Sequence, residues 1–102
     1  MGCEQTPAWQ ALAQLRNRQN KAWDIRQDFE TDSLRFAQFS QQAPYVFADL
    51  SKNAWNAQTE TMLVHLARER QLEQWRAALF AGDTVNATEH RAAMHWLLRM
   101  PQ

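Results

Sequence analysis

Apolar residues recur along this chain in short stripes at helical spacing, each opened by a capping residue and closed by a polar run or a breaker. Thr6-Pro7 opens the first: a threonine caps, and a proline at the first helical position loses no hydrogen bond. Trp9, Leu12 and Leu15 then repeat at three-residue spacing, and the polar run Asn17 to Lys21 is expected to end the helix. Asp24 reads as the cap of a short second helix toward Glu30, with Ile25 and Phe29 four apart on one face. Asp32 or Ser33 restarts a helical stretch through Ser40, with Phe36 and Phe39 on its inner side and Leu34 or Arg35 at the margin.

Ala43-Pro44 interrupts this pattern, because the residue before a proline avoids the helical region. The following Tyr45-Val46-Phe47-Ala48-Asp49-Leu50 is the best strand candidate, and Ser51-Lys52-Asn53 reads as the turn after it. A strand cannot stand alone, so its neighbours are expected to come from elsewhere. Asn56 is expected to cap the longest helix, about Ala57 to Gln71, with Met62, Leu63 and Leu66 buried and Ala67 allowing close approach. Leu72, Trp75, Leu79 and Phe80 form a further stripe, read as core, and Gly82 is a natural C-terminal stop. Asp83 to Ala87 reads as a loop. Thr88 or Asn86 then starts a final helix that is apolar on nearly every side, which belongs inside a larger body. The fold class expected is mainly α, a helical segment with one short β-strand. Both the unpaired strand and the last helix lead to the expectation that the chain is part of something larger.

Composition narrows the functions. The 102 residues suffice for one small domain, and 45% hydrophobic content argues against wholesale disorder. Zero formal net charge argues against a general nucleic-acid binder and gives no reason to expect strong attraction to anionic membranes. The one basic cluster, Arg16, Arg18 and Lys21, lacks interleaved aromatics and reads as a solvated helix end or loop. A single cysteine, Cys3, excludes an intramolecular disulfide. With no secretory signal pattern and no apolar run of membrane-spanning length, a soluble cytoplasmic protein is the default expectation.

Catalytic chemistry is sparse. His90 and His95 are five apart, a poor fit for two ligands on one helical face, and His65 lies on a different helix, so no zinc signature emerges. Asp24, Asp28, Glu30 and Asp32 are the densest carboxylates, and helix capping with a solvated face explains them better than a paired acid and base. Glu89 reads as a first-turn acid suited to the helix dipole. Gly2 and Gly82 cannot form a phosphate-cradling loop.

Four blocks carry a family resemblance across nearly the whole chain. Thr6-Pro7-Ala8-Trp9-Gln10-Ala11-Leu12 looks like the opening helix of the glucose-6-phosphate isomerase family, especially its bacterial form. Arg35-Phe36 with Phe39-Ser40 is similar to the family's second element, and Asp49-Leu50-Ser51-Lys52-Asn53 to its Asp-Tyr-Ser-Lys-Asn. The stretch from Ala81 to Arg99 resembles Gly-Glu-x-Ile-Asn-x-Thr-Glu-x-Arg-Ala-Val-Leu-His-x-Ala-Leu-Arg, matching at Asn86, Thr88, Glu89, Arg91, Ala92, His95, Leu98 and Arg99. Leu50 departs from the family tyrosine, Ala93 and Met94 stand for valine and leucine, and Leu15 to Trp23 matches poorly.

The resemblance implies that residues 1–102 are the N-terminal helical segment of an α/β three-layer sandwich. The parent would be a cytoplasmic homodimer of glycolysis and gluconeogenesis, acting on a sugar phosphate without cofactor or metal. It would interconvert glucose 6-phosphate and fructose 6-phosphate through an enediol. The family's catalytic residues lie past the point corresponding to Gln102, so no catalytic, cofactor-binding or metal residue is assigned here, and the chain alone is expected to be inactive. Thr88 and Glu89 would start the last helix, and Arg91 or His95 would tie it to neighbouring segments. The rival expectation is a free-standing helical module for protein binding. Nucleic acid and membrane are not expected partners.

Overall fold

A computed structural model describes residues 2–19 and 23–101. They are mainly α, with five α-helices, two short 3-10 segments and two hairpin-like pairs of strands. The chain divides into two compact units, residues 1–64 and 65–102.

In the first unit, helix α1 (Pro7–Gln19) begins where the sequence places it. The buried Thr6 hydroxyl donates to the Cys3 carbonyl at 2.7 Å and accepts from the Trp9 amide at 3.4 Å. The helix ends at Gln19, within the polar run expected to end it, and Asn17 to Gln19 make up its last three residues; Lys21 lies outside the described residues. Ala8 and Leu15 are its buried residues, whereas Trp9 is exposed. Helix α2 (Ile25–Thr31) is capped by Asp24, whose Oδ1 accepts from the Arg26 amide at 2.9 Å. Of the two residues placed on one face, Ile25 is half-buried and Phe29 lies just on the exposed side.

The stretch after Asp32 corrects the expectation of a helix through Ser40. Asp32 Oδ1 accepts from the Leu34 amide, and helix α3 (Arg35–Gln38) is a single turn. Its buried side chains are also not the pair expected. Phe39 is buried, but Phe36 is half exposed, and Arg35, placed at the margin, is 3% exposed.

Nor is the strand alone. Strand β1 (Ser40–Ala43) pairs antiparallel with β2 (Val46–Asp49), from Ser40 opposite Asp49 to Ala43 opposite Val46. Pro44 and Tyr45 form the turn between them. Proline fixes its own φ at the first turn position, and Tyr45 takes the left-handed conformation, φ 64°, that the second position of such a turn requires. Gln42 Nε2 donates to the carbonyls of Ala43 and Val46 and braces the turn.

Helix α4 (Ala57–Glu69) is capped as expected: Asn56 Oδ1 accepts from the Thr59 amide at 2.8 Å and from its hydroxyl. Met62, Leu63, Leu66 and Ala67 are half-buried along it. Gln71, with φ 57°, separates it from α5 (Leu72–Ala81).

In the second unit, α5 ends at Gly82, whose φ of 79° is the left-handed stop that glycine adopts without a Cβ clash. Beyond it the expected final helix does not form. Strands β3 (Thr84–Asn86) and β4 (Arg91–Ala92) pair antiparallel around a turn, and His95–Arg99 is a 3-10 segment. The start chemistry is present, with Asn86 Oδ1 accepting from the amides of Thr88 and Glu89. It closes a turn instead, and His90 turns left-handed at φ 55°. A short helix must offset its nucleation cost by burying a face. Here Trp96 does the packing, meeting the Phe80 ring edge-on at 5.2 Å and donating from Nε1 to the Leu79 carbonyl. Trp75 and Phe80, read as core, are half exposed.

Replacing Asn56 with alanine should cost about 1 kcal/mol of α4 stability, and replacement with aspartate should cost little, because either native-type oxygen caps the Thr59 amide. Hydrogen exchange at the first turn of α4 checks both.

Candidate functional site

The residues of the first unit that are bound most densely converge on Arg35. The single turn α3 delivers this side chain beneath the turn that follows β2. Its Nε donates to the Ser51 carbonyl at 2.7 Å and an Nη to the Asn53 carbonyl at 2.9 Å. The same Nη lies 3.8 Å from Asp28 Oδ2, and that oxygen also accepts from Trp23 Nε1 at 2.8 Å. The guanidinium sits 5.2 Å from the Phe39 ring centroid and 5.7 Å from that of Phe29, within cation–π range. A planar fork of donors suits this job because it meets two carbonyls at once while its faces rest on aromatic rings.

The turn it holds is Asp49-Leu50-Ser51-Lys52-Asn53. Asp49 closes it from within: Oδ1 accepts from the amide of Ser51 at 2.9 Å and from its hydroxyl, and Oδ2 pairs with Lys52 Nζ. The Lys52 ammonium, then the Ser51 hydroxyl and amide, hold the Asp49 carboxyl down to about 2, below its ordinary 3.8. Ser51 is fully buried, and the Leu50 amide donates to the Phe39 carbonyl at 2.9 Å, fastening the turn to the end of α3. The expected Ser51-Lys52-Asn53 turn is therefore present, with Asp49 as its internal brace.

This arrangement fixes a backbone; its chemistry is structural. Its polar groups are turned on one another: the fork donates to main-chain carbonyls, and the carboxylates are occupied by Trp23, Ser51, Lys52 and Arg35. Beside it, Arg18, Trp23, Asp24, Asp28, Trp55 and Asn56 line an open hollow of about 260 Å³.

The carboxylates singled out in sequence divide accordingly. Asp24 and Asp32 cap, Glu30 is exposed, and Asp28 is the one engaged with Arg35. Arg16 and Arg18 are exposed in the last turn of α1. Among the described residues no three histidine, cysteine or acidic side chains gather as a metal would require. His65, His90 and His95 are all exposed, His95 on the 3-10 segment. In the second unit Asn86, Glu89, Arg91, Met94, His95 and Leu98 line a hollow of about 480 Å³. Trp96 ties the 3-10 segment to α5 through its bond to the Leu79 carbonyl. Arg35 is the organising residue that sequence reading did not find. Its only signal was its place in the Arg-Phe block, since periodicity put it at the helix margin.

Residues 49–102 match the family described as phosphoglucose isomerase. Over 99 residues the chain is 56% identical to a glucose-6-phosphate isomerase of Albidiferax ferrireducens, covering 97% of this chain and 19% of that protein. It is 52% identical over 99 residues to one from Polaromonas naphthalenivorans, with the same coverage, and 49% identical over 100 residues to one from Leptothrix cholodnii, covering 98% of this chain and 18% of that protein. The chain thus spans about a fifth of the length of these relatives, and it corresponds to their N-terminal segment.

Removing the fork should unfasten the turn. Arg35→Met should destabilise the first unit by about 3 kcal/mol, because charge-assisted hydrogen bonds are worth about 1.5–3 kcal/mol and their loss leaves carbonyls buried. Arg35→Lys should recover little of this, since an ammonium cannot reproduce the fork; denaturant melts of both variants check it. Because the Asp49 pKa is lowered in the fold, its contribution is complete above pH 3.8 and is lost as pH falls through about 2. Carboxyl NMR titration should show that low midpoint, and Lys52→Ala should move it toward 3.8.

Proposed function

The chain belongs to the phosphoglucose isomerase family, and we propose that it forms the N-terminal part of a glucose-6-phosphate isomerase. The observation that carries this reading is 56% identity maintained over 97% of the chain. The reaction of the whole enzyme would be aldose–ketose interconversion of glucose 6-phosphate and fructose 6-phosphate, with a proton moved between C1 and C2 through an enediol by general acid–base catalysis. A sugar phosphate is then the substrate, and the family supports a homodimer working in the cytoplasm in glycolysis and gluconeogenesis. No helix among the described residues is long and apolar enough to cross a membrane.

Within that enzyme the role of residues 1–102 is architectural. The bonds centred on Arg35 stabilise a turn and are directed at main-chain atoms, and none of the family's catalytic residues maps onto this chain. The 102-residue chain by itself is therefore without isomerase activity.

The test grafts residues 1–102 in place of the matching segment of the Albidiferax ferrireducens enzyme. Formation of glucose 6-phosphate from fructose 6-phosphate is then followed. The chimera should turn over within about tenfold of its parent, a barrier change of no more than about 1.4 kcal/mol, and the 102-residue chain alone should show no turnover. A folded chimera without activity, or a 102-residue chain with activity, would contradict the reading.

A further inference from the structure

Strand β2 presents apolar side chains on both of its faces. Val46 and Phe47 are adjacent, so they point to opposite sides of the strand, yet they are 59% and 54% exposed. Apolar on both faces is the pattern of a strand buried on both sides, not of one with a solvated face. Phe36 touches Phe47, with ring centroids 6.1 Å apart, but is itself half exposed, so the contact leaves the patch open. The sheet has two strands and therefore two free edges, a form that is marginal in water unless something packs on it. Exposed edges are ordinarily guarded by charges, and Ser40 through Ala48 contains none.

We propose that this hairpin, with Val46 and Phe47 on its two faces and Phe36 beside them, is the surface on which the rest of the isomerase polypeptide docks. The occupant follows from length. Relatives that match 97% of this chain continue for about four times as many residues again, since the match is 19% of their length. The stretch Ser40 to Ala48 calls for an apolar cover, and the charges nearest to it, Asp49 and the Lys52 that lies over Phe36, are paired with each other. This inference rests on the isomerase reading and adds which surface the remainder covers.

Thiol accessibility tests it. Val46→Cys and Phe47→Cys, each with Cys3→Ser, are made in the 102-residue chain and in the chimera, and alkylation by iodoacetamide is timed. Both thiols should react in the isolated chain like exposed thiols and at least about a hundredfold more slowly in the active chimera, where reaction must await local opening. Hydrogen exchange of the Val46–Asp49 amides in the unsubstituted proteins reports the same protection if a substitution impairs folding. Equal rates in an active chimera overturn the docking surface and leave the isomerase reading standing. An inactive, folded chimera overturns both. Protection in the isolated chain that rises with concentration, together with a doubled mass, would put a second copy on the hairpin and overturn the proposal.

Discussion

A buried arginine that donates to two main-chain carbonyls is the constraint on which the first unit depends. Arg35 is 3% exposed, and such a charge is tolerable only if its donors are met. Ser51 and Asn53 meet them with carbonyls, Asp28 adds a carboxylate, and Phe29 and Phe39 supply π-faces. These partners come from α2, α3 and the turn after β2, so one side chain fixes three segments that share little apolar core. Ala8, Leu15 and Phe39 are the buried apolar residues among those described, too few to do this by packing alone.

The internal brace of the turn has a different character. Asp49, Ser51 and Lys52 are near neighbours in sequence, so their bonds can form before any long-range contact. Arg35 holds the same turn from 16 and 18 residues away along the chain. The block Asp49-Leu50-Ser51-Lys52-Asn53 is thereby explained twice, as a locally closed turn and as the acceptor for a buried cation. The family resemblance identified the block; the geometry gives the physical reason for Asp49, Ser51 and Lys52, while Asn53 contributes its main-chain carbonyl. Leu50, in place of the family tyrosine, keeps the main-chain bond to Phe39 because that bond needs only its amide.

What was legible in sequence was local chemistry. Thr6-Pro7, Asp24, Asn56 and Gly82 begin or end helices as read, because capping involves residues two or three positions apart. The mainly α class and the family followed from these signals and from the four blocks. What was hidden depends on distant partners or on weak patterns. Ser40-Gln41-Gln42-Ala43 has no strand propensity, and it is a strand because β2 lies across a tight turn from it. Asn86 through Arg99 carries a helix pattern, yet here its start becomes a turn and Trp96 finds Phe80 and Leu79. Arg35 lay at the margin of an apolar stripe, and nothing in periodicity distinguishes a snorkelling arginine from one whose fork grips two main-chain carbonyls. Among the described residues, the sixteen large apolar ones left exposed agree with the expectation that this sequence has burial to complete elsewhere.

The most direct test of the account is the exchange rate of the Arg35 Nε proton, measured by ¹⁵N NMR on the 102-residue chain near neutral pH. The account predicts a dispersed resonance that exchanges with water far more slowly than the Nε protons of the exposed Arg16 and Arg18. An Arg35 proton exchanging as fast as theirs would mean that the fork is not held by Ser51, and the constraint that organises the first unit would be wrong.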